Sequence, residues 1–224
     1  MLKKCLVLLF VCAGMLFFST CKKDPPIGDF RIALTFDDGP DTVYTVRILD
    51  ILKQKNVKAT FFVTGYHARL YPSIIRRIHN EGHVIGNHTF THLYLPGAST
   101  TEMISEVERT QRIIDRYSGA PSSFLFRPPY GYISDEQRHQ LKIRGYRVVT
   151  WDIDPLDYNL SRSTPDAIAD RVLLLRGNNK MVLMHSADYS DRESRENTVL
   201  ALPRIIDELR NKYNYQFITV NQIP

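Results

Sequence analysis

Five short polar clusters interrupt the apolar runs of this chain, and their residue types suit metal binding and proton transfer. The first is T-F-D-D-G-P, residues 35–40, with Asp37 and Asp38 side by side. Successive residues of an extended chain point to opposite sides, so one carboxylate can ligate a cation while its neighbour faces a substrate. Asp-Gly-Pro is equally good turn chemistry, which leaves a purely structural role open for the pair. The second cluster, G-N-H-T-F-T-H, sets His88 and His92 four residues apart. On a helical turn that spacing puts both imidazoles on one side, as a two-histidine metal site requires. Asp38, His88 and His92 together would make a three-ligand nitrogen and oxygen site with positions open for water, a set that suits zinc and admits other divalent metals. The third, F-R-P-P-Y-G, carries two prolines that fix φ and remove backbone donors, so a rigid loop would hold Arg127 and the Tyr130 backbone. The fourth, W-D-I-D-P-L-D-Y, supplies Asp152, Asp154 and Asp157, and the fifth, V-L-M-H-S, delivers His185 to the end of an apolar run. A lone histidine in that position is more often a satisfied core residue, but its place at a strand end alongside four other clusters favours chemistry. His67, His79, His83 and His139 are left as surface or packing residues.

Such clusters need a scaffold that ends its strands at one rim. Short β-rich runs alternate with helical patterns along the chain, and strands are expected near Arg31–Phe36, Val57–Val63, His83–Ile85, Ser123–Phe126, Tyr146–Trp151, Met181–Met184 and Gln216–Val220. Ser99 with Glu102 reads as a capping box opening a helix that stops at Gly119. Thr164 followed by Pro165 reads as an N-cap with proline at the first helical position, and a last helix runs through Val199, Leu202, Ile206 and Leu209. Repeated strand-helix alternation predicts an α/β fold with a parallel sheet, either doubly wound or closed into a barrel, and both gather chemistry at the carboxyl ends of strands.

The chain has 224 residues, 43% hydrophobic and 24% charged, enough for one domain with a sizeable core and unlike a disordered, collagen-like or multi-span membrane protein. All three cysteines, Cys5, Cys12 and Cys21, fall in the first 21 residues, so the remainder can form neither a disulfide framework nor a thiolate metal site. Lys3 and Lys4 precede an apolar run from Cys5 to Phe18, the pattern of a secretory signal peptide over residues 1–20, too short for a comfortable membrane span. Its end, F-S-T-C before K-K-D-P-P, resembles a bacterial lipoprotein signal with Cys21 as the lipidated first residue, residues 21–29 as a short tether and 30–224 as the domain. Loss of the leader would remove Lys3 and Lys4 and take the net charge from +5 to +3. With the charges mixed along the chain, a nucleic-acid partner is not expected.

Together the five clusters resemble those of the NodB-homology polysaccharide deacetylases, carbohydrate esterase family four, in order and separation: T-F-D-D-G-P, H-T-F-T-H, R-P-P-Y-G, D-P-L-D-Y and L-M-H. The resemblance covers Phe30 to Pro224 and implies a distorted (β/α) barrel, here with about seven parallel strands. It implies that Asp38, His88 and His92 hold a divalent metal, zinc first, with cobalt, nickel or manganese as alternatives. It further implies Asp37 as catalytic base, Arg127 as the group that orients it, the Tyr130 N–H as an oxyanion donor, His185 as general acid and Asp157 as its partner. The implied substrate is a polysaccharide or oligosaccharide. An exported chain with a lipid anchor at Cys21 points to N-acetylglucosamine or N-acetylmuramic acid units of an envelope glycan such as peptidoglycan, with the domain on the bacterial envelope.

Two positions depart from the family pattern. Tyr158 stands where tryptophan is common, and Ser186 stands where aspartate often follows the histidine. Neither touches the expected metal or base; Tyr158 would form a smaller aromatic wall. Two other readings compete: an O-acetyl esterase on acetylxylan or a related polysaccharide, and an inactive glycan-binding surface lipoprotein. The latter should have lost a ligand, the base or the acid, and this chain retains all five.

Overall fold

The computed structural model describes residues 30–224 except 120, 121, 160 and 191. The expected leader, Cys21 and the tether lie outside the described residues. Among the described residues seven strands and seven α-helices follow in the order β1 (Arg31–Asp37), α1 (Tyr44–Gln54), β2 (Thr60–Val63), α2 (Gly65–Leu70), α3 (Pro72–Asn80), β3 (Val84–Asn87), α4 (Thr100–Ser118), β4 (Leu125–Phe126), α5 (Asp135–Lys142), β5 (Arg147–Val148), α6 (Pro165–Leu173), β6 (Lys180–His185), α7 (Glu196–Asn211) and β7 (Gln216–Phe217). Among the described residues no helix is long and apolar enough to cross a membrane.

Every strand pairing is parallel, in the order β5-β4-β3-β2-β1-β6, with β7 added along the start of β1. The sheet curls until the chain just past β5 returns to β6 through one parallel bridge, Ile153 to Val182. There the Asp152 N–H donates to the Met181 carbonyl at 2.9 Å and the Leu183 N–H to the Ile153 carbonyl at 2.9 Å. The expected distorted barrel of about seven parallel strands is the fold found.

Three strands are shorter than their apolar runs. The runs at 123–126, 146–151 and 216–220 keep only two ladder residues each. Beyond them the ladder stops: the Arg127 N–H makes the last bond of β4 to β3, to the Asn87 carbonyl, and a 3-10 turn at Val220–Gln222 replaces the end of the last run. The helix signals hold with one change. Ser99 accepts from the Glu102 N–H, without the reciprocal side-chain bond of a full capping box, and α4 ends at Gly119 with φ 78. Thr164 caps α6 through the Ala167 N–H, with Pro165 at the first position.

Strand β1 explains how the core leads to a site. Ile32, Leu34 and Phe36 join the large cluster between sheet and helices, and Phe36 stacks on Phe61 at 5.2 Å. The alternate residues, Ala33, Thr35 and Asp37, point inside the barrel, as the two-residue period requires. Ala33 packs there with Phe62, Leu125 and Val149, Thr35 donates to the Val182 carbonyl at 2.7 Å, and Asp37 ends the strand at the rim.

Candidate active site

Parallel register brings the five clusters to one end of the barrel. Asp37 lies beside His185 across β1 and β6, and Asn87 beside Phe126 across β3 and β4, so His88 and Arg127 leave neighbouring strands together. A cavity of about 610 Å³ opens there, lined by Asp37, Asp38, His88, His92, Tyr130 and His185 among others. Arg127 and Asp157 stand directly behind this lining.

Two local expectations need correction. Asp37 and Asp38 do not point to opposite sides: Asp38 has φ 73, and this left-handed kink at the strand end brings both carboxylates to the cavity. His92 is not one helical turn beyond His88, because the segment after β3 is irregular, with φ 64 at Thr89 and 60 at His92. Eight non-glycine residues among those described have positive φ. Three are asparagines, and the other five, Asp38, Thr89, His92, Tyr130 and Leu156, all lie in loops around this cavity. Such backbone is costly for ordinary side chains and persists only where its surroundings enforce it.

The enforcing contacts are visible at each residue. The Asp38 carbonyl accepts from His67 Nδ1 at 2.8 Å and from the Thr64 hydroxyl at 3.2 Å. His67 is thus a buried support of the Asp38 kink, while His79 and His139 are exposed. His83 is buried behind β2, accepts from the Ala59 N–H at 3.1 Å, and is pushed down to about 4, chiefly by burial.

Asp38 Oδ1 lies 3.5 Å from His88 Nε2 and 3.3 Å from His92 Nε2. The Arg127 carbonyl can only accept, so His88 Nδ1, 2.7 Å away, carries the proton and Nε2 presents its lone pair to Asp38. Burial pushes both histidines down to about 3, keeping the imidazoles neutral. It pushes Asp38 up to about 7, with the neighbouring Asp37 charge adding to the rise. Asp38 Oδ1 is buried with no hydrogen-bond partner. The His88 Nε2 lone pair and this unpartnered Asp38 oxygen face each other, and a cation is what satisfies such a donor set. The trio, whose ligand atoms all lie within 4.8 Å of one another, therefore fits a divalent metal.

On one side of the trio, Arg127 is fully buried. Its Nη1 donates to Asp37 Oδ1 and Thr35 Oγ1, both at 2.7 Å, its Nη2 donates to the Thr150 carbonyl at 2.9 Å, and the guanidinium lies over the Phe62 ring. Burial raises the Asp37 carboxyl, and the Arg127 charge and hydrogen bond oppose that rise. On the other side, Asp157 Oδ1 accepts from His185 Nδ1 at 2.7 Å, while Oδ2 accepts from the His185 backbone N–H and the Thr198 hydroxyl, both at 2.8 Å. Burial alone would lower His185, but the Asp157 charge and hydrogen bond outweigh it and hold the imidazole up at about 9. Burial would likewise raise Asp157, and His185 with Thr198 holds it below its usual range.

The polysaccharide deacetylase family profile matches residues 25–149. The chain belongs to the polysaccharide deacetylase family. It is 38% identical over 195 residues to a peptidoglycan-N-acetylglucosamine deacetylase of Bacillus cereus, covering 87% of this chain and 68% of that one. It is 39% identical over 197 residues to the peptidoglycan-N-acetylmuramic acid deacetylase PdaC of Bacillus subtilis, covering 86% of this chain and 38% of the relative. The solved Bc1960 peptidoglycan N-acetylglucosamine deacetylase superposes with a TM-score of 0.81 at 37% identity, covering 88% of this chain and 89% of that one.

Within this deacetylase fold the expected wall is present: Tyr158 lines the cavity, stands edge-on to His185 at 5.6 Å and donates to Asp154 Oδ2 at 3.3 Å. The loop after β6 contributes residues that the motifs did not flag. Tyr189 stacks on His92 at 4.1 Å with the rings 9° apart. Asp188 anchors that loop by accepting from the Ser190 hydroxyl, the Arg192 N–H and Arg195 Nη2. The only signal in the sequence was a dense polar stretch, S-A-D-Y-S-D-R-E-S-R, directly behind His185.

Proposed function

We propose that this chain is a metal-dependent hydrolase that removes acetyl groups from N-acetylglucosamine or N-acetylmuramic acid units of a cell-envelope polysaccharide such as peptidoglycan. The observation that carries the reading is the cavity in which the Asp-His-His trio stands between an Arg127-held carboxylate and an Asp157-held imidazole. The printed activities of the similar proteins support the choice of N-acetylated glycans.

The division of labour follows from the contacts. When bound by Asp38, His88 and His92, a divalent cation supplies Lewis acidity to the acetyl carbonyl and acidifies water. Zinc suits this nitrogen and oxygen donor set best, with cobalt, nickel and manganese next. Asp37, oriented by Arg127, takes a proton from the attacking water as its oxygen bonds to the acetyl carbon. The Tyr130 backbone N–H donates to the developing oxyanion. His185 already spends its Nδ1 proton on Asp157, so Nε2 is the atom that protonates the leaving nitrogen as the C–N bond breaks, releasing acetate and an amino sugar. Export through the residue 1–20 leader and a lipid at Cys21 would hold the domain at the envelope, where this substrate is found.

Acetate release from peptidoglycan fragments, chitooligosaccharides and acetylxylan, each with several divalent metals, tests the reading. Release from the first two that is lost in Asp37→Asn is the expected result. Release from acetylxylan alone, or equal release by the variant, overturns it.

A further inference from the structure

Charges that are mixed along the sequence are sorted by the fold. All strand pairings are parallel, so every strand is entered from the end opposite the cavity. The segments leading into β2, β5, β6 and β7 are basic and contain no acid: K-Q-K-N-V-K at 53–58, K-I-R-G-Y-R at 142–147, R-G-N-N-K at 176–180 and R-N-K-Y-N at 210–214. At the cavity end, by contrast, α4 to α7 open on Glu102, Asp135, Asp166 and Glu196. Cations in the last turn of a helix complement its macrodipole, which accounts for Lys53, Lys142, Arg171 and Arg210. It does not account for Arg176, Lys180 and Lys212, which lie beyond the helix ends, nor for Leu174, which closes α6 and is 74% exposed.

Two of these turns form one surface with the point where the chain enters the barrel. Arg176 and Lys212 stand over the same Tyr213 ring, at 5.7 and 5.2 Å, and the Tyr215 hydroxyl donates to the Gly177 carbonyl at 3.0 Å, so the turns before β6 and β7 are tied together. The Arg31 N–H donates to Asn178 Oδ1 at 2.7 Å, and the Phe30 ring lies 5.6 Å from Tyr215. Leu174 borders a hollow of about 320 Å³ that Arg171, Arg176 and Lys180 also line, with Asp152 the one acid among its described lining residues. Lys180 pairs with Asp152 at 2.9 Å and Lys212 with Glu208 at 3.8 Å, while Arg171 donates to the Pro155 and Arg162 carbonyls. Arg176 donates to the Leu173 and Leu175 carbonyls and has no carboxylate partner among the described residues.

We propose that this end of the barrel is a docking face for an anionic phospholipid bilayer, with Arg171, Arg176, Lys180 and Lys212 meeting lipid phosphates and Leu174 entering the headgroup layer. The reading rests on the export and anchoring given under the proposed function. Residues 22–29 separate the expected lipid at Cys21 from Phe30, and at about 3.3–3.6 Å per residue they reach no further than about 30 Å. A patch tethered that closely meets the bilayer at high local concentration, so weak contacts suffice. Cations around an exposed aliphatic side chain suit an anionic interface: charge draws the face down and the apolar tip holds it. Docked in this way, the domain turns its cavity away from the bilayer and toward the glycan.

The test is co-sedimentation of the metal-loaded mature chain, residues 21–224 with Cys21→Ser so that no lipid contributes, with vesicles of phosphatidylcholine alone or with about 30% phosphatidylglycerol. The anionic vesicles should bind about tenfold more tightly, and about 0.5 M salt should remove the difference. Each cation near such a surface strengthens binding about fivefold, so Arg176→Gln with Lys212→Gln should weaken it about twentyfold. Leu174→Ser should weaken it about threefold. Both variants should release acetate from chitotetraose as the parent does, since they lie at the far end from the cavity. Equal binding to the two kinds of vesicle, or anionic binding that the double glutamine variant leaves unchanged, overturns the docking face; acetate release would leave the proposed function standing. Binding that Leu174→Ser does not weaken and that soluble polyglutamate abolishes assigns the face to an acidic polymer and overturns the bilayer. Vesicle binding as expected without acetate release overturns the deacetylase reading alone.

Discussion

At the scale of single residues, each half of the site has one group that fixes the state of another. In the proposed mechanism Arg127, which donates to Asp37, keeps that carboxylate available as the base, so Asp37→Asn should lower acetate release by about 10²–10⁴ while bound metal, measured by atomic absorption, stays near wild type. Asp157 keeps His185 charged. The folded value of about 9 lies above the ordinary 6.5, so the acid of the proposed mechanism is protonated at neutral pH and acetate release should fall as pH rises through about 9. In Asp157→Asn that alkaline limb should move toward 6.5, and a pH-rate profile with an unmoved limb would show that Asp157 does not set it. The same shift stabilises the fold in full below about 6.5 and ceases to do so as pH rises through about 9. The residue types of both pairs were legible in the sequence, because a carboxylate pair and a histidine at strand ends are unusual choices for a core. Their orientation was not. Alternation along an extended strand put Asp38 on the wrong side, since nothing in D-D-G-P announces a left-handed residue held by His67 from another loop.

At the scale of elements, strand ends carry ligands and helices hold them from behind. Thr198, in the first turn of α7, donates to Asp157 across 41 residues of chain. Thr198→Val should cost about 1–3 kcal/mol in urea unfolding, because a buried carboxylate oxygen loses a donor, and Thr198→Ser should restore most of it. Gly131→Ala forces a Cβ toward the Trp151 ring at a left-handed position, and a loss of about 1–3 kcal/mol with reduced acetate release is expected. The long elements were legible because their apolar periods are sustained, as in α4 and α7. The shortness of β4, β5 and β7 was not, since apolar runs there continue past the ladder into loops. Tyr189 and Asp188 were illegible for another reason: a charged stretch without period looks like a solvated turn until β6 and α7 fold it over His92.

For the whole molecule, the trio makes stability depend on its cation. A cation bound by three groups that only the folded chain brings together stabilises that fold, so a chelator should lower Tm and added zinc should restore it with the logarithm of ligand excess. His88→Ala should remove most of that response in scanning calorimetry. The ring itself is fastened unevenly. Asp38, His88 and His92 follow strands β1 and β3, each with strand neighbours on both sides, whereas the segment that carries Asp157 makes a single ladder bridge to β6, at Ile153, and otherwise holds to it through the carboxylates of Asp152 and Asp157. A barrel sewn with one stitch at that seam has a preferred order of failure. On heating, this seam is expected to part before β1 and β3 do, so zinc-loaded protein should lose acetate release at a lower temperature than it loses zinc; simultaneous loss of the two would show that it does not.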